Sequence, residues 1–292
     1  MGEFRSDKYA YFANVRFDLQ NPEDVQLHSD WELVIDRVYR EIAHFSSWNS
    51  SVYDHLPKSS LGFSSSQTGS DILKVLDKFL DINPGFLCGP VIHILSARSP
   101  NDIVIDNLVA RLRATHAVVR VIIPIISSGG LYPQTMYNLA TRTNGFGYFA
   151  QNYVRAYIAG SHMEIFDYDP YQVYAVNVNV SGSGLMTLPN LSLPYYTYYD
   201  FAVTLQDSGI LSTFQRMSLN ITNPYASYAM LVNRNDYRTA DNTTNYADPQ
   251  IYMLPGTYAV TYEYHYSDSR MQTLQIRISS ITRTYYWIPY AS

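Results

Sequence analysis

The chain has 292 residues, 47% hydrophobic and 15% charged, enough apolar material for one large domain or two ordinary ones and too much for a disordered chain. Its formal net charge is −5 with a pI near 5.8, and Lys and Arg are scattered, which excludes the basic footprint of nucleic-acid or anionic-membrane binding. No apolar run reaches the roughly 20 residues that span a bilayer, so no membrane insertion is expected.

Residues 1–8 lack the apolar core of a signal peptide. A first strand is predicted over 9–15, then a helix over 30–45 whose core face is Trp31, Val34, Ile35, Val38, Ile42 and Phe45. Short β-runs at 52–53 and 61–63 suit an edge hairpin, and a second helix is predicted over 70–80. Between 89 and 149 the rhythm is strongest: β-runs at 91–95, 118–126 and 147–150 alternate with helical patterns at 102–114 and 133–142. Short β-branched runs alternating with helices imply parallel strands joined by crossovers, hence an α/β doubly wound, mostly parallel sheet. A helix over 152–159 would close this first domain, 1–160.

After Gly160 the pattern changes. Tyr174, Val176, Val178 and Val180 alternate with Ala175, Asn177 and Asn179, and the same period of two recurs at Phe201 to Leu205, Val260 to Tyr266 and Leu274 to Ile278. Punctuation at Pro189, Pro194, Gly209, Pro224, Pro255 and Gly256 cuts the region into short strands. The second domain, 161–292, therefore reads as an all-β antiparallel sandwich of roughly seven strands, immunoglobulin-like or similar. Of the 28 tyrosines, 19 lie after Ser161, where the ring packs in or across a strand and the hydroxyl reaches water. The sharper alternative is an aromatic ligand surface, with Tyr195, Tyr196, Tyr198 and Tyr199 as its candidates.

Catalytic chemistry is not expected. The chain has no G-x-S-x-G, H-E-x-x-H, C-x-x-C, P-loop or G-x-G-x-x-G pattern, and its seven histidines show no ligand spacing. Gly182-Ser-Gly184 reads as a turn, Ser127-Ser-Gly-Gly130 as a loop needing positive φ, and His93 as a core residue. Cys88 has no partner for an internal bridge and reads as a small buried hydrophobe, with a reactive thiol or intermolecular bridge as the alternative. Five Asn-x-Ser/Thr sequons, at Asn49, Asn179, Asn190, Asn220 and Asn242, lean toward the secretory route with a leader removed ahead of this start.

The order of elements over 10–160 resembles the von Willebrand factor A-like domain, and more narrowly the nematode secreted proteins that append an all-β module to a divergent A-like domain. The resemblance is carried by Gln67-Thr-Gly-Ser-Asp-Ile-Leu-Lys-Val-Leu76, by the run from Val91 to Asp102, and by Ala140-Thr-Arg-Thr-Asn-Gly-Phe-Gly-Tyr-Phe149. In metal-binding members a DxSxS triplet, a threonine and an aspartate from three loops hold a divalent cation. Here the first-strand exit is Asn14-Val-Arg16-Phe-Asp18, Thr68 stands in the threonine's place, and Ser96 replaces the aspartate.

With two of three ligand sources lost, no metal or other cofactor is expected. The resemblance instead implies a crevice formed by Asn14, Arg16, Asp18, Thr68, Ser70, Ser96 and Asp102, with Asp102 also placed to cap the helix that follows. The expected function is extracellular, non-enzymatic recognition or adhesion of a protein or glycan ligand, in host defence or surface interaction, with oligomeric state left open. A carbohydrate-binding sandwich and a structural matrix component are the alternatives.

Overall fold

The structure, a computed structural model, describes residues 10–29, 61–82, 87–150, 171–234 and 243–290. The predicted helices over 30–45 and 152–159, the run at 52–53, the division at 160/161, and the sequons at Asn49 and Asn242 lie outside them.

β1 (Phe12–Asn14) pairs antiparallel with β2 (Gln26–His28) in a two-stranded ribbon. α1 (Ile72–Asp81) buries Ile72, Val75, Leu76 and Leu80, the i, i+3, i+4 stripe of an amphipathic helix. β3 (Val91–Leu95), α2 (Asp106–Ala114), β4 (Val118–Pro124), α3 (Pro133–Arg142) and β5 (Gly147–Ala150) then build a parallel sheet of order β3-β4-β5. Leu76, Leu112, Met136 and Tyr137 from the three helices share one cluster with Val119, Val121, Ile123 and Phe149, so all three helices cover the same face.

This corrects the expected doubly wound, von Willebrand A-like sheet. Among the described residues strand order follows chain order without reversal and shows no switch point, and β1 pairs with β2 instead of joining the parallel strands. Periodicity reports each strand–helix–strand unit locally; it does not report how many strands assemble or what covers the second face. Here that face, with Ile122, Tyr148 and Ala150, packs with Phe146 and with Ala202 from the antiparallel half of the chain.

That half contains β6 (Tyr171–Val180), β7 (Ser183–Leu193), β8 (Thr197–Thr204), β9 (Phe214–Thr222), β10 (Ser227–Asn233), β11 (Asn245–Met253), β12 (Gly256–Tyr266) and β13 (Gln272–Ser280). They form two antiparallel sheets of order β10-β9-β12-β7 and β11-β8-β13-β6. Numbering these strands in chain order, the sheets read 5-4-7-2 and 6-3-8-1, the double Greek key of a jelly roll and not an immunoglobulin-like sandwich. One apolar cluster draws on both sheets, from Val178, Leu191 and Phe201 to Met217, Val232, Tyr262 and Ile276.

Pro189, which reads in the sequence as punctuation between strands, lies inside β7. The strand absorbs it at an edge, where the register with β12 shifts between Tyr258 and Val260. β11, with Pro249, is likewise an edge strand and is bulged between Asp248 and Ile251.

The two halves are joined by a buried polar network. Gln275 of β13 accepts a bond from Gly147 N (2.8 Å), donates to Thr141 Oγ1 (2.7 Å) and, through its backbone N–H, to Thr204 Oγ1 (2.8 Å). Tyr137 of α3 shares a bond with Thr204 Oγ1 (2.9 Å) and donates to Thr273 O (2.8 Å). Thr244 takes both open edge groups of Phe149, its Oγ1 accepting from Phe149 N and its N–H donating to Phe149 O. The free edge of β5 is thereby satisfied by jelly-roll residues, as an unpaired edge inside a structure requires. Arg277, fully enclosed, donates to Gly145 O (2.7 Å), Val176 O (2.9 Å) and Asn177 Oδ1 (2.8 Å); burial pushes its guanidinium down to about 9, still charged at neutral pH. The segment after β13 returns to the α/β half, where Trp287 stacks on His116 at 4.9 Å and Tyr290 donates to Ala117 O.

Candidate functional site

Two regions receive the residues singled out in the sequence. The first is the loop cluster beyond the C-terminal ends of β3 and β4, at the carboxyl edge of the parallel sheet. Ser99 N donates to Gly129 O (2.8 Å), Gly130 N to Ser66 O (3.1 Å) and Ser70 N to Ser99 O (2.8 Å), locking residues 66–70, 96–101 and 127–130 together. A Cβ on Gly130 (φ +81°) would stand 1.7 Å from Ser99 O, so the loop closes only with glycine there.

At the centre lies Arg98. Its buried guanidinium donates to Ser65 O (2.8 Å), Thr68 O (2.9 Å) and Phe63 O, and rests 5.7 Å from the Phe63 ring. The expected crevice is thus occupied by a cation that the chain supplies. Thr68 contributes its carbonyl, not its hydroxyl. Ser96 is buried beneath the same loop, its Oγ donating to Arg98 O.

Ser70 and Asp18 adjoin this cluster. Asp18, with φ +62°, is buried; the loss of water pushes its carboxyl up to about 6, while the Ser70 hydroxyl and the Asp71 N–H pull it down. The remaining candidates lie apart: Asn14 Oδ1 bonds His28 Nε2 (2.8 Å), and Arg16 pairs with Glu23. Asp102 is four residues ahead of α2, whose N-cap is Ile105; its Oδ1 accepts only a long bond from Val104 N (3.4 Å), which corrects its reading as the cap. A shallow hollow of about 230 Å³ between Arg16, Phe17, Glu23, Phe63 and Lys74 falls short of a drug-sized pocket. Cys88 is exposed, correcting its reading as buried.

The second region is aromatic. Tyr196 and Tyr198 are 59% and 44% exposed. Tyr195 is half-buried, and Tyr199 is wholly buried, its hydroxyl donating to Tyr195 O (2.7 Å), so it belongs to the core. Tyr252, which the sequence reasoning missed, completes the group at 49% exposure. It is the direct cross-strand partner of Tyr198, and its ring centroid lies 4.6 Å from Tyr198 and 4.4 Å from Tyr196. Alternation explains the placement: Tyr199, Phe201 and Val203 point into the core, so Tyr198, Asp200, Ala202 and Thr204 point outward. The α/β half covers Ala202 and Thr204 and leaves the tyrosine end open.

Among the sequons, Asn190 of β7 and Asn179 of β6 are exposed, and Asn220 of β9 is half-buried.

The fold and these surfaces define a jelly roll with an appended three-stranded α/β layer. Residues 176–281, within the jelly roll, match a family model described as a domain of unknown function, DUF7154. No curated protein matches the chain. Among solved structures it is similar to the C-terminal domain of A223, a structural protein from Sulfolobus turreted icosahedral virus, at 17% identity and a TM-score of 0.22, covering 38% of this chain and 98% of that one. It is also similar to the PRD1 vertex protein P5, at 8% identity and a TM-score of 0.24, over 38% of this chain and 74% of the other. A third is BtGH115A, a family GH115 4-O-methyl-α-glucuronidase, at 8% identity and a TM-score of 0.23, over 39% of this chain and 16% of that chain.

Proposed function

We propose that the chain is a secreted, non-enzymatic recognition protein that binds a protein ligand through the open tyrosine face of β8 and β11. The observation that carries this reading is the exposed trio Tyr196, Tyr198 and Tyr252, in which the Tyr252 ring touches both others, at an end of the sheet's outer face away from Ala202 and Thr204. Tyrosines offer large contact area at low side-chain entropy cost and are enriched at binding hot spots. Their planes are tilted by 60° and 51°, which makes a ridged surface and not the flat platform on which a sugar ring stacks. The exposed sequon asparagines Asn179 and Asn190 support the secretory route.

The test probes an array of extracellular proteins and a glycan array in parallel with the full chain and its Tyr198→Ser/Tyr252→Ser variant. Protein hits that vanish with the variant support the reading. Glycan hits that vanish would move it to carbohydrate, and hits indifferent to the variant would remove the tyrosine face as the site.

A further inference from the structure

We propose that Tyr252 is a site of oxidative dityrosine cross-linking, joined within the chain to Tyr196. Three observations carry this. The two rings are in contact, with centroids 4.4 Å apart and planes at 60°, and both are open to solvent, so an oxidant reaches them and no rearrangement brings them together. Tyr252 lies on the edge strand β11 and Tyr196 just ahead of β8, so the bond would clamp the edge strand to its neighbour in the short paired stretch beyond the bulge. The chain's single cysteine rules out an internal disulfide, whereas phenol coupling is a covalent staple that its 28 tyrosines permit.

The chemistry balances with a peroxide as oxidant. A haem peroxidase acting on hydrogen peroxide takes one hydrogen atom from each phenol hydroxyl. The two phenoxyl radicals couple through a new carbon–carbon bond between ring positions ortho to the hydroxyls. Each ortho proton then moves back to its oxygen and restores aromaticity. In sum two tyrosines lose two hydrogen atoms, and one hydrogen peroxide becomes two waters. Prior contact converts a bimolecular radical encounter into an intramolecular step, so this pair should outcompete exposed tyrosines that touch no other ring. Tyr225 is the internal control: it is 89% exposed and makes no ring contact among the described residues.

The full chain is treated at low protein concentration with peroxidase and hydrogen peroxide, then followed by dityrosine fluorescence, gel mobility and peptide mapping. The expected result is fluorescence on the monomeric band and one linked peptide pair, carrying Tyr196 and Tyr252, lighter by two hydrogens than its separate halves. Tyr252→Phe, which keeps the ring, should lose most of the signal, and Tyr225→Phe should keep it. Undiminished fluorescence in Tyr252→Phe, or fluorescence confined to dimers and larger species, would overturn the proposal. The recognition reading is untouched by either outcome, since it concerns the unoxidised face.

Discussion

Asp18 and Asp71 hold each other through their backbones: Asp18 N donates to Asp71 Oδ1 at 2.8 Å, and Asp71 N donates to Asp18 Oδ1 at 3.0 Å. The exchange fastens the segment after β1 to the start of α1 but brings two carboxyls together in a place sheltered from water.

The first prediction follows from that shelter. Asp18 titrates near 6 in the folded chain against an ordinary 3.8, so between those values the folded state binds more protons than the unfolded one, and stability falls as pH rises. Replacing the carboxyl by an amide, Asp18→Asn, keeps the acceptor for Asp71 N and suits the left-handed backbone. The variant should be more stable than the wild type at pH 7.5 by about 1–2 kcal/mol, after allowance for partial solvation, and nearly equal to it at pH 4. Urea midpoints across that range check this; parallel curves for the two proteins would refute it.

Arg98 provides the second. Arg98→Ala leaves the carbonyls of Phe63, Ser65 and Thr68 without their donor in a part-buried place where Ser65 and Thr68 can still meet water, at a cost of about 1–3 kcal/mol. Arg98→Lys should recover little, because one ammonium lacks the planar fork that reaches all three. Limited proteolysis should cut the alanine variant first within 61–70. Wild-type resistance there would show that the guanidinium does not hold the loops.

Two glycines separate close packing from backbone strain. Gly130 and Gly209 both have positive φ, but a Cβ on Gly130 meets Ser99 O at 1.7 Å, whereas one on Gly209 meets nothing within 4 Å. Gly209→Ala should therefore cost only the left-handed penalty, about 1–2 kcal/mol, and Gly130→Ala clearly more. Thermal melts of the two variants side by side decide the matter, and equal losses would contradict the contact.

The fourth prediction concerns Tyr137, whose hydroxyl is kept protonated by burial and spans the two halves. Tyr137→Phe should cost about 1–3 kcal/mol by orphaning Thr273 O and removing a partner of Thr204. At roughly 2–4 °C per kcal/mol for a chain of this size, the melting temperature should fall measurably and the whole transition should move together. A shift confined to one part of the melt would show that the bond does not couple the halves.

Local elements were legible in the sequence and their assembly was not. The runs at Val91–Leu95 and Gly147–Ala150 and the helix Pro133–Arg142 follow from β-branched content and apolar spacing, both of which act within a few residues. The helix predicted from 102 begins only at Asp106, because Pro100 O binds the N–H groups of Leu131 and Tyr132 and Asp102 O binds the Thr135 hydroxyl, tying the preceding loop into long-range contacts.

Gln275 and Arg277 alternate with Leu274, Ile276 and Ile278, which reads as a solvent face; they are buried because the α/β half lies on that side. Alternation tells which residues share a face, not what covers it. Tyr252 was missed for the related reason that it and Tyr198, more than fifty residues apart in sequence, are brought together only by the jelly-roll register. Arg98 was within the predicted loop, but no pattern marks an arginine as the internal cation of three carbonyls.

Recognition by the tyrosine face stands or falls on the dissociation constant of whichever array ligand binds best, measured for the wild type and for Tyr252→Ala. Truncating a hot-spot aromatic removes about 1.4 kcal/mol or more, so affinity should fall at least tenfold with the fold intact by circular dichroism. An unchanged dissociation constant for Tyr252→Ala would contradict it.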